Sequence, residues 1–332
     1  MILCVSLNPA IDKMLKIDEI LVGGVSRARL ESVHAGGKAI NVASNLLLQG
    51  DTVKVTGFVG GKAGMQIIEE LKKRHLPFDF IRLGTETRTN MNYIDSKGRV
   101  TEILESGHLV DAKSEEEFKH LYNKLIKEAD MVVLSGSLPI GLGNDTYANM
   151  CVTAAREGVP VCLDTSGEAL VNAVECAPFL IKPNIKEFEY LTKRSYDLSL
   201  LDTDIKAFFD SDEFKNGILK EFRRLRKKGI MIICLTLGKK GAIFYVKDEI
   251  IYVSAPEVDV INTVGSGDCM LASLIHSLVK NADIKEACRY ASAVASAHVT
   301  TMNVAEVDPN LVNDLIKQVR MHVVKLSHSD NQ

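Results

Sequence analysis

Residues 262–268 read Asn-Thr-Val-Gly-Ser-Gly-Asp and lead directly into an apolar helix pattern over residues 270–278. A glycine-rich turn that opens a helix points backbone N–H groups and the positive end of the helix dipole at one place, where an anion binds favourably. A carboxylate beside a bound phosphate is electrostatically unfavourable, so its presence here indicates that Asp268 takes part in the reaction. The stretch therefore favours an anion hole with its own general base, and hence phosphoryl transfer to a hydroxyl. An ordinary glycine turn with an aspartate in the first helical turn is the alternative interpretation.

A second glycine turn, Ala-Gly-Gly-Lys-Ala-Ile-Asn-Val-Ala over residues 35–43, also leads into an amphipathic pattern. Lys38 lies at the opening and Asn41 one turn later, so both side chains can face the same ligand. The sequence contains no phosphate loop of the type Gly-x-x-x-x-Gly-Lys-Ser/Thr, and no Gly-x-Gly-x-x-Gly follows a predicted strand. The turn thus predicts a ligand contact of another kind, with a solvated lysine near a helix start as the alternative.

Short apolar runs alternate with helical patterns along the chain. The predicted strands cover residues 2–7, 53–59, 131–134, 159–163, 179–182 and 230–235, and helices between them include 65–74, 146–157 and 213–228. Continuous apolar runs are typical of strands buried on both faces. Repeated strand-then-helix units predict an α/β protein with a parallel sheet covered by helices on both sides. Ligands of such sheets bind at the carboxyl ends of the strands, where the glycine turns fall.

Two stretches interrupt this alternation. Residues 13–33 and 88–109 read as extended strands with polar and apolar residues alternating, and residues 95–98 form a good hairpin connection between 91–94 and 100–104. Together they predict a small sheet, built from two separate insertions, that forms a lid over the strand ends. A lid suits a phosphoryl-transfer enzyme because it excludes water from the reaction.

Composition and charge exclude several classes of protein. With 332 residues, 46% hydrophobic and 25% charged, the chain suits one large α/β domain with a small appendage. A formal net charge of -3 provides no general basic surface for nucleic acid, and the sequence contains no run of 18 apolar residues that would predict a membrane span. The first residues read as a strand rather than a signal peptide, and the seven cysteines form no Cys-x-x-Cys pair. We therefore expect reduced thiols and a cytoplasmic protein.

Four further observations concern residues beside or outside these motifs. Cys269 follows Asp268 at a helix N-terminus, where a thiolate is favoured, so it is either a reactive thiol or, as we favour, a plain buried cysteine. Residues 193–215 look irregular and are interpreted as a surface excursion without an assigned role. The polar tail 327–332 is expected to fray. None of the eight histidines has a spacing suited to zinc.

Eight motifs occur in order along nearly the whole chain. They are Asn-Pro-Ala-Ile-Asp at 8–12, Gly-Gly-Lys at 36–38, Thr-Arg-Thr-Asn at 87–90, Ser-Gly-Ser-Leu-Pro at 135–139, Asp-Thr-Ser-Gly at 164–167, Lys-Pro-Asn-Ile-Lys-Glu at 182–187, Thr-Leu-Gly at 236–238 with Gly241, and Gly-Ser-Gly-Asp at 265–268. In this combination the chain resembles the ribokinase-like sugar kinases of the phosphofructokinase-B branch. The resemblance implies a ribokinase-like three-layer sandwich in a single domain over residues 1–332, with the lid formed by about 13–33 and 88–109. In this family the lid often joins two subunits, which makes a homodimer an expectation.

The resemblance also implies the catalytic roles. Asp268 would accept the proton of the attacking hydroxyl, and the backbone N–H groups of Gly265, Ser266 and Gly267 would bind the transferring phosphoryl group. The family more often has alanine at position 266, but serine is small enough to keep the turn.

Binding roles follow from the same resemblance. Lys38 and Arg88 would hold a phosphate already on the sugar, since the planar guanidinium can bind phosphate oxygens in pairs. Asp12 and Asn41 would contact sugar hydroxyls, with Gly37 letting the sugar approach the backbone. The expected cofactors are ATP and Mg²⁺. The nucleotide contacts would be Asn184, Thr236, Gly238 and Gly241, and Glu187 would face Mg²⁺, usually through water.

The predicted reaction is phosphorylation of the free primary hydroxyl of a ketohexose phosphate. The motifs favour fructose 1-phosphate, converted to fructose 1,6-bisphosphate. Tagatose 6-phosphate is the alternative, because one site can hold these two sugar phosphates in opposite chain directions. Fructose 6-phosphate is the third candidate. An unphosphorylated sugar or nucleoside as acceptor is a further alternative. Arg88 disfavours it, because this residue is predicted to bind a phosphate on the sugar. A sugar-phosphate sensor that binds without turnover is the alternative from another class.

Overall fold

The structure is a computed structural model that describes residues 1–301 and 307–326. The tail 327–332, predicted to fray, lies outside the described residues. The strands are β1 (Ile2–Ser6), β2 (Ala10–Ile17), β3 (Ala28–Gly36), β4 (Val53–Gly60), β5 (Phe78–Leu83), β6 (Arg88–Ile94), β7 (Val100–Leu104), β8 (Met131–Ser135), β9 (Val161–Asp164), β10 (Leu180–Ile181), β11 (Ile232–Thr236), β12 (Ala242–Val246), β13 (Glu249–Val253) and β14 (Met321–Lys325). The helices are α1 (Lys38–Leu48), α2 (Gly61–Lys73), α3 (Ala112–Leu125), α4 (Thr146–Arg156), α5 (Gly167–Val174), α6 (Ile185–Thr192), α7 (Leu200–Thr203), α8 (Ile205–Asp210), α9 (Leu219–Lys227), α10 (Ser266–Val279), α11 (Ile284–His298) and α12 (Pro309–Gln318).

In the described part of the chain, ten strands form one large sheet in the order β14-β13-β12-β11-β10-β9-β8-β1-β4-β5. Neighbours from β11 to β5 are parallel, and β12, β13 and β14 extend the sheet antiparallel. The predicted, mainly parallel sheet is thus confirmed. Its parallel strands bring their carboxyl ends, and the loops that follow them, to one edge.

The two faces of the large sheet pack against separate hydrophobic clusters. Along β1, Leu3 and Val5 belong to one cluster, while Ile2 and Cys4 belong to the other. The first cluster includes buried side chains of α3, α4, α5, α6 and α9, and the second those of α1, α2, α10, α11 and α12. Because successive side chains of a strand point to opposite faces, this division makes a three-layer sandwich with helices on both sides of the sheet.

The four strands of the small sheet have the order β3-β2-β6-β7 within the described residues. β2 is antiparallel to β3 and parallel to β6, and β6 and β7 form the predicted hairpin. The turn of this hairpin is held by Asp95, whose side chain accepts hydrogen bonds from the backbone of Lys97 and Arg99 at 2.9 Å each. The small sheet therefore comes from two separate parts of the chain.

The structure differs from the sequence-based expectation in three places. The irregular stretch 193–215 is not a plain surface excursion, because it contains α7 and α8, and Phe208 and Phe214 are buried in the core. The helix predicted over 213–228 starts as a π-helical turn, Glu213–Ile218, before α9 begins. The strand predicted over 179–182 is reduced to β10, since Pro183 cannot donate a hydrogen bond to a neighbouring strand.

Candidate active site

The carboxyl ends of the parallel strands and one face of the small sheet enclose a cavity of about 1010 Å³. Every residue assigned a site role from the sequence lines it. These residues are Asp12, Gly37, Lys38, Asn41, Arg88, Asn184, Glu187, Thr236, Gly238, Gly241, Gly265, Ser266, Gly267 and Asp268. Positions far apart in the sequence therefore meet in one cleft.

Asp268 lies in the first turn of α10 and is only 5% exposed. The side-chain amide of Asn41, on α1, donates a hydrogen bond of 2.8 Å to its Oδ2 atom. Burial, reinforced by the nearby carboxylate of Asp164, raises the pKa of Asp268 from 3.8 to about 7, although Lys38, Asn41 and Lys182 act in the opposite direction. A carboxyl group with a pKa near the working pH is suited to accept a proton from a substrate.

The turn before α10 presents backbone N–H groups to the cavity. Gly265 caps the helix in the left-handed region with φ +85°, a conformation that favours glycine. The first N–H groups of a helix have no acceptor within the helix, so they are available to a ligand. The N–H group of Ser266 bonds weakly to the carbonyl oxygen of Thr263 at 3.3 Å. A Cβ atom on Gly267 would lie 3.2 Å from the Nζ atom of Lys182, so glycine leaves room for this cation.

A buried carboxylate and two lysines lie beside Asp268. Asp164 is buried, with Lys38 Nζ 3.0 Å from its Oδ1 atom and Lys182 Nζ 3.1 Å from its Oδ2 atom. Burial opposes the ionisation of Asp164, but Lys182 and Lys38 outweigh it and hold its pKa below 3.8. No site role was assigned to Asp164 or Lys182 from the sequence. Asp164 is the last residue of β9 and Lys182 directly follows β10, and this position at the carboxyl end of a strand was the available signal.

Lys38 and Arg88, predicted to hold the same phosphate, have different partners. Besides Asp164, the ammonium group of Lys38 lies 3.7 Å from Glu187. Burial lowers the pKa of Lys38, but Asp164, Glu187 and Asp268 outweigh burial and raise it, so the lysine is charged. Arg88 donates instead to the carbonyl oxygens of Asn8 and Glu105, at 3.0–3.2 Å. The two cations therefore contact different sets of residues in the cavity.

Asp12 and Asn90 form a polar pair on the small sheet, where Asn90 Nδ2 donates to Asp12 Oδ1 at 2.8 Å. Burial raises the pKa of Asp12 to about 6 despite this bond and the charge of Arg88, and Glu102 adds to the rise. The pair depends on Gly36, because a Cβ atom there would lie 1.9 Å from Asp12 Oδ2.

Asn184 and Glu187 form a capping box at the start of α6. Glu187 N donates to Asn184 Oδ1 at 2.9 Å, and Asn184 N donates to Glu187 Oε2 at 2.8 Å. The other carboxylate oxygen of Glu187 is the one near Lys38. Thr236 pairs with Asn184 through an isolated bridge, and at Gly241 a Cβ atom would lie 2.0 Å from the carbonyl oxygen of Val253. Among residues 1–301 and 307–326, no group of three His, Cys, Asp or Glu side chains is placed to hold a metal ion.

Cys269 points away from the cavity. It is fully buried, its thiol donates to Asn45 Oδ1 at 3.4 Å, and burial raises its pKa well above 9.0. The favoured prediction of a buried cysteine is confirmed, since burial outweighs the helix dipole that would favour a thiolate.

Comparison with known proteins agrees with this geometry. A model of the pfkB family of carbohydrate kinases matches residues 5–311. The chain belongs to this family. It is therefore a carbohydrate kinase, a phosphotransferase with an alcohol group as acceptor, and the resemblance seen in the sequence is confirmed.

Relatives of this carbohydrate kinase cover nearly its whole length. A tagatose-6-phosphate kinase of Staphylococcus epidermidis is 32% identical over 323 residues, 97% of this chain and 99% of the relative. A Thermotoga maritima structure described as "Possible 1-phosphofructokinase" is 25% identical with a TM-score of 0.82, covering 98% and 100% of the two chains. Arabidopsis thaliana ribokinase, 20% identical with a TM-score of 0.72 over 95% and 98%, shows that the fold is ribokinase-like. In the described part of the kinase, no helix is long and apolar enough to cross a membrane.

Proposed function

We propose that this kinase transfers the terminal phosphoryl group of ATP to the free primary hydroxyl of a ketohexose phosphate. The observation that supports this proposal most directly is the position of Asp268, a buried carboxyl group at the start of α10. It accepts a hydrogen bond from Asn41 and shares one cavity with Arg88 and Asp12. A proton acceptor, a helix N-terminus and a guanidinium group in one cleft suit phosphoryl transfer to a hydroxyl of an anionic sugar.

In the proposed reaction, Asp268 accepts the proton of the attacking hydroxyl, and Asn41 keeps its carboxylate oriented. The first-turn N–H groups of α10 stabilise charge on the transferring group, together with the ammonium groups of Lys38 and Lys182. Asp164 holds both lysines in place, because it accepts a hydrogen bond from Lys38 and forms an ion pair with Lys182. The role proposed for Lys38, at the reacting phosphoryl group, thus differs from the role predicted from the sequence, in which Lys38 holds the phosphate of the sugar.

The acceptor is proposed to lie between the small sheet and α1. Arg88 binds its phosphate, because a guanidinium group at the cavity wall offers paired donors to phosphate oxygens. Asp12 and Asn41 face its hydroxyls, and Gly37 allows the sugar to approach the backbone. Asp12 is a strong acceptor for a hydroxyl when its carboxyl group is ionised.

The nucleotide is proposed to lie along Asn184, Thr236, Gly238 and Gly241. The glycines suit it because their backbone can lie close to a ligand. Mg·ATP, when bound, supplies the phosphoryl group and neutralises part of its charge. Glu187 fits a magnesium contact through water, since one of its oxygens faces the cavity and Mg²⁺ usually keeps several waters.

Two sugar phosphates are candidates for the phosphoryl acceptor, and each is favoured by a different observation. The motifs at residues 8–12 and 87–90 favour fructose 1-phosphate, and the Thermotoga maritima neighbour supports that choice. The relative at 32% identity is a tagatose-6-phosphate kinase, which favours tagatose 6-phosphate. Both carry a phosphate at one end and a primary hydroxyl at the other, so both fit the proposed mechanism.

We also propose that the small sheet acts as a lid and joins two copies of the chain. Its side chains Leu30 and Ile103 are more than half exposed, and apolar surface of this kind is suited to a partner. All seven cysteines are free thiols, which supports a cytoplasmic location.

The test is the initial rate of ADP release with Mg·ATP against fructose 1-phosphate, tagatose 6-phosphate, fructose 6-phosphate, fructose, ribose and adenosine. A kcat/KM at least about tenfold higher for one ketohexose phosphate would identify the acceptor. Turnover of free sugars alone would overturn the role of Arg88. Saturable binding of sugar phosphates without any turnover would instead support the sensor.

A further inference from the structure

Two buried carboxamide oxygens on β6 have no hydrogen-bond partner among the described residues. They are the Oδ1 atoms of Asn90, 8% exposed, and Asn92, 2% exposed. Both residues line the active-site cavity. A buried acceptor without a partner is unfavourable, so such atoms are rare unless a ligand or water satisfies them.

Strand geometry places these two oxygens in one polar strip. Residues two apart on a strand share a face, so Asn90 and Asn92 both point to the cavity side of the small sheet. Asn92 pairs across the strands with Glu102, which also lines the cavity, and on its other side with Met14. Met14 is buried and apolar, so β2 offers the amide of Asn92 no side-chain donor.

The strip offers acceptors and therefore selects donors. The oxygens of Asn90 and Asn92 and the carboxylate of Glu102 can accept hydrogen bonds from hydroxyl groups, whereas a phosphate brings only further acceptors and negative charge. Arg88, the cation proposed to bind the phosphate, opens the same strand, and Asn92 lies four residues further along it. The part of the acceptor that faces the strip is thus its neutral, hydroxyl-bearing part.

We infer that Asn92, with Asn90 and Glu102, reads the configuration of a secondary hydroxyl of the sugar and so determines specificity between epimers. The inference rests on the proposed function, since it takes the acceptor to be a ketohexose phosphate. Fructose and tagatose phosphates differ in the configuration of one secondary hydroxyl, at C4. A hydroxyl that reaches the Asn92 oxygen satisfies a buried acceptor, and its epimer leaves that acceptor unpaired, which is how a polar site rejects a close analogue.

The test compares kcat/KM for the two 4-epimers that carry the phosphate at the position the wild type accepts, for example tagatose 6-phosphate and fructose 6-phosphate. The variant Asn92→Ala removes the acceptor, and Asn92→Asp keeps it. Thr101→Ala is the matched control, because Thr101 is exposed, lies on the neighbouring strand and pairs with Tyr93 rather than with a cavity residue. Thermal melting checks that each variant is folded, and Asn92→Leu, which also lacks an acceptor, replaces the alanine variant if that one does not fold.

We expect a wild-type preference for one epimer that Asn92→Ala reduces about tenfold, the effect of one hydrogen bond of ordinary strength. Asn92→Asp and Thr101→Ala should keep the preference. Equal losses for both epimers in Asn92→Ala, or a wild type without preference, would overturn the inference and leave the proposed function intact. A wild type that phosphorylates no ketohexose phosphate would overturn the proposed function itself.

Discussion

Replacing Asp268 by asparagine should remove catalysis and stabilise the fold at the same time. Asparagine keeps the size of the side chain and an oxygen that can accept the hydrogen bond from Asn41, which is 2.8 Å long in the wild type. It cannot accept the proton of the substrate hydroxyl, however, and loss of a general base lowers kcat by about 10²–10⁴-fold. Nucleotide binding should change little, because the backbone of the 265–267 turn is retained.

The size of the stabilisation follows from the pKa of the buried carboxyl group. In the folded protein the pKa of Asp268 is raised from 3.8 to about 7. Below pH 3.8 the group is protonated in both states and has no effect. Between pH 3.8 and about 7 the unfolded chain loses its proton first, so the folded state becomes relatively less stable as the pH rises. Three pKa units correspond to about 4 kcal/mol, which is the upper limit of the gain expected for the asparagine variant at pH 8.

The assay combines urea unfolding at pH 5 and pH 8 with steady-state rates over the same range. Asp314→Asn is the control, because Asp314 is exposed and forms an ion pair with Lys317 on the same helix. The Asp268→Asn variant should gain more stability relative to wild type at pH 8 than at pH 5, and the control should show no such difference. Wild-type kcat/KM should fall about tenfold per pH unit below the pKa of Asp268 in the free enzyme, about 7. An Asp268→Asn variant with near-normal turnover, or one less stable than wild type at pH 8, would refute this reasoning.

Three further predictions concern the rest of the cavity. Arg88→Ala should raise KM for a sugar phosphate at least about tenfold more than for the free sugar, because a charged hydrogen bond to phosphate is lost; equal effects in steady-state assays would contradict a phosphate contact. Gly36→Ala should raise KM and lower the melting temperature, since the new Cβ atom would lie 1.9 Å from Asp12 Oδ2; unchanged kinetics and melting would contradict the close packing. Glu187→Gln should raise the Mg²⁺ concentration needed for half-maximal rate several-fold, while circular dichroism stays unchanged because glutamine can still accept the capping hydrogen bond; an unaltered Mg²⁺ titration would remove the proposed metal contact.

Local signals in the sequence predicted the architecture well. The alternation of apolar strands and amphipathic helices indicated a parallel sheet, because strands buried on both faces need continuous apolar runs. The hairpin at 95–98 was also predicted correctly from its turn residues. The stretch 193–215 was not, since its buried phenylalanines belong to short helices that form only against the core.

The sequence alone determined that glycine turns and polar residues follow the strands, and the parallel sheet gathers such positions at one edge. Only the tertiary structure decided which groups touch. Asn41 bonds to Asp268 across 227 residues, and Lys38 to Asp164 across 126, and no local pattern encodes such distant pairs. Burial likewise depends on the whole fold. For this reason the pKa of the Cys269 thiol is raised despite its place at a helix N-terminus, and Asp268 has a pKa suited to a base.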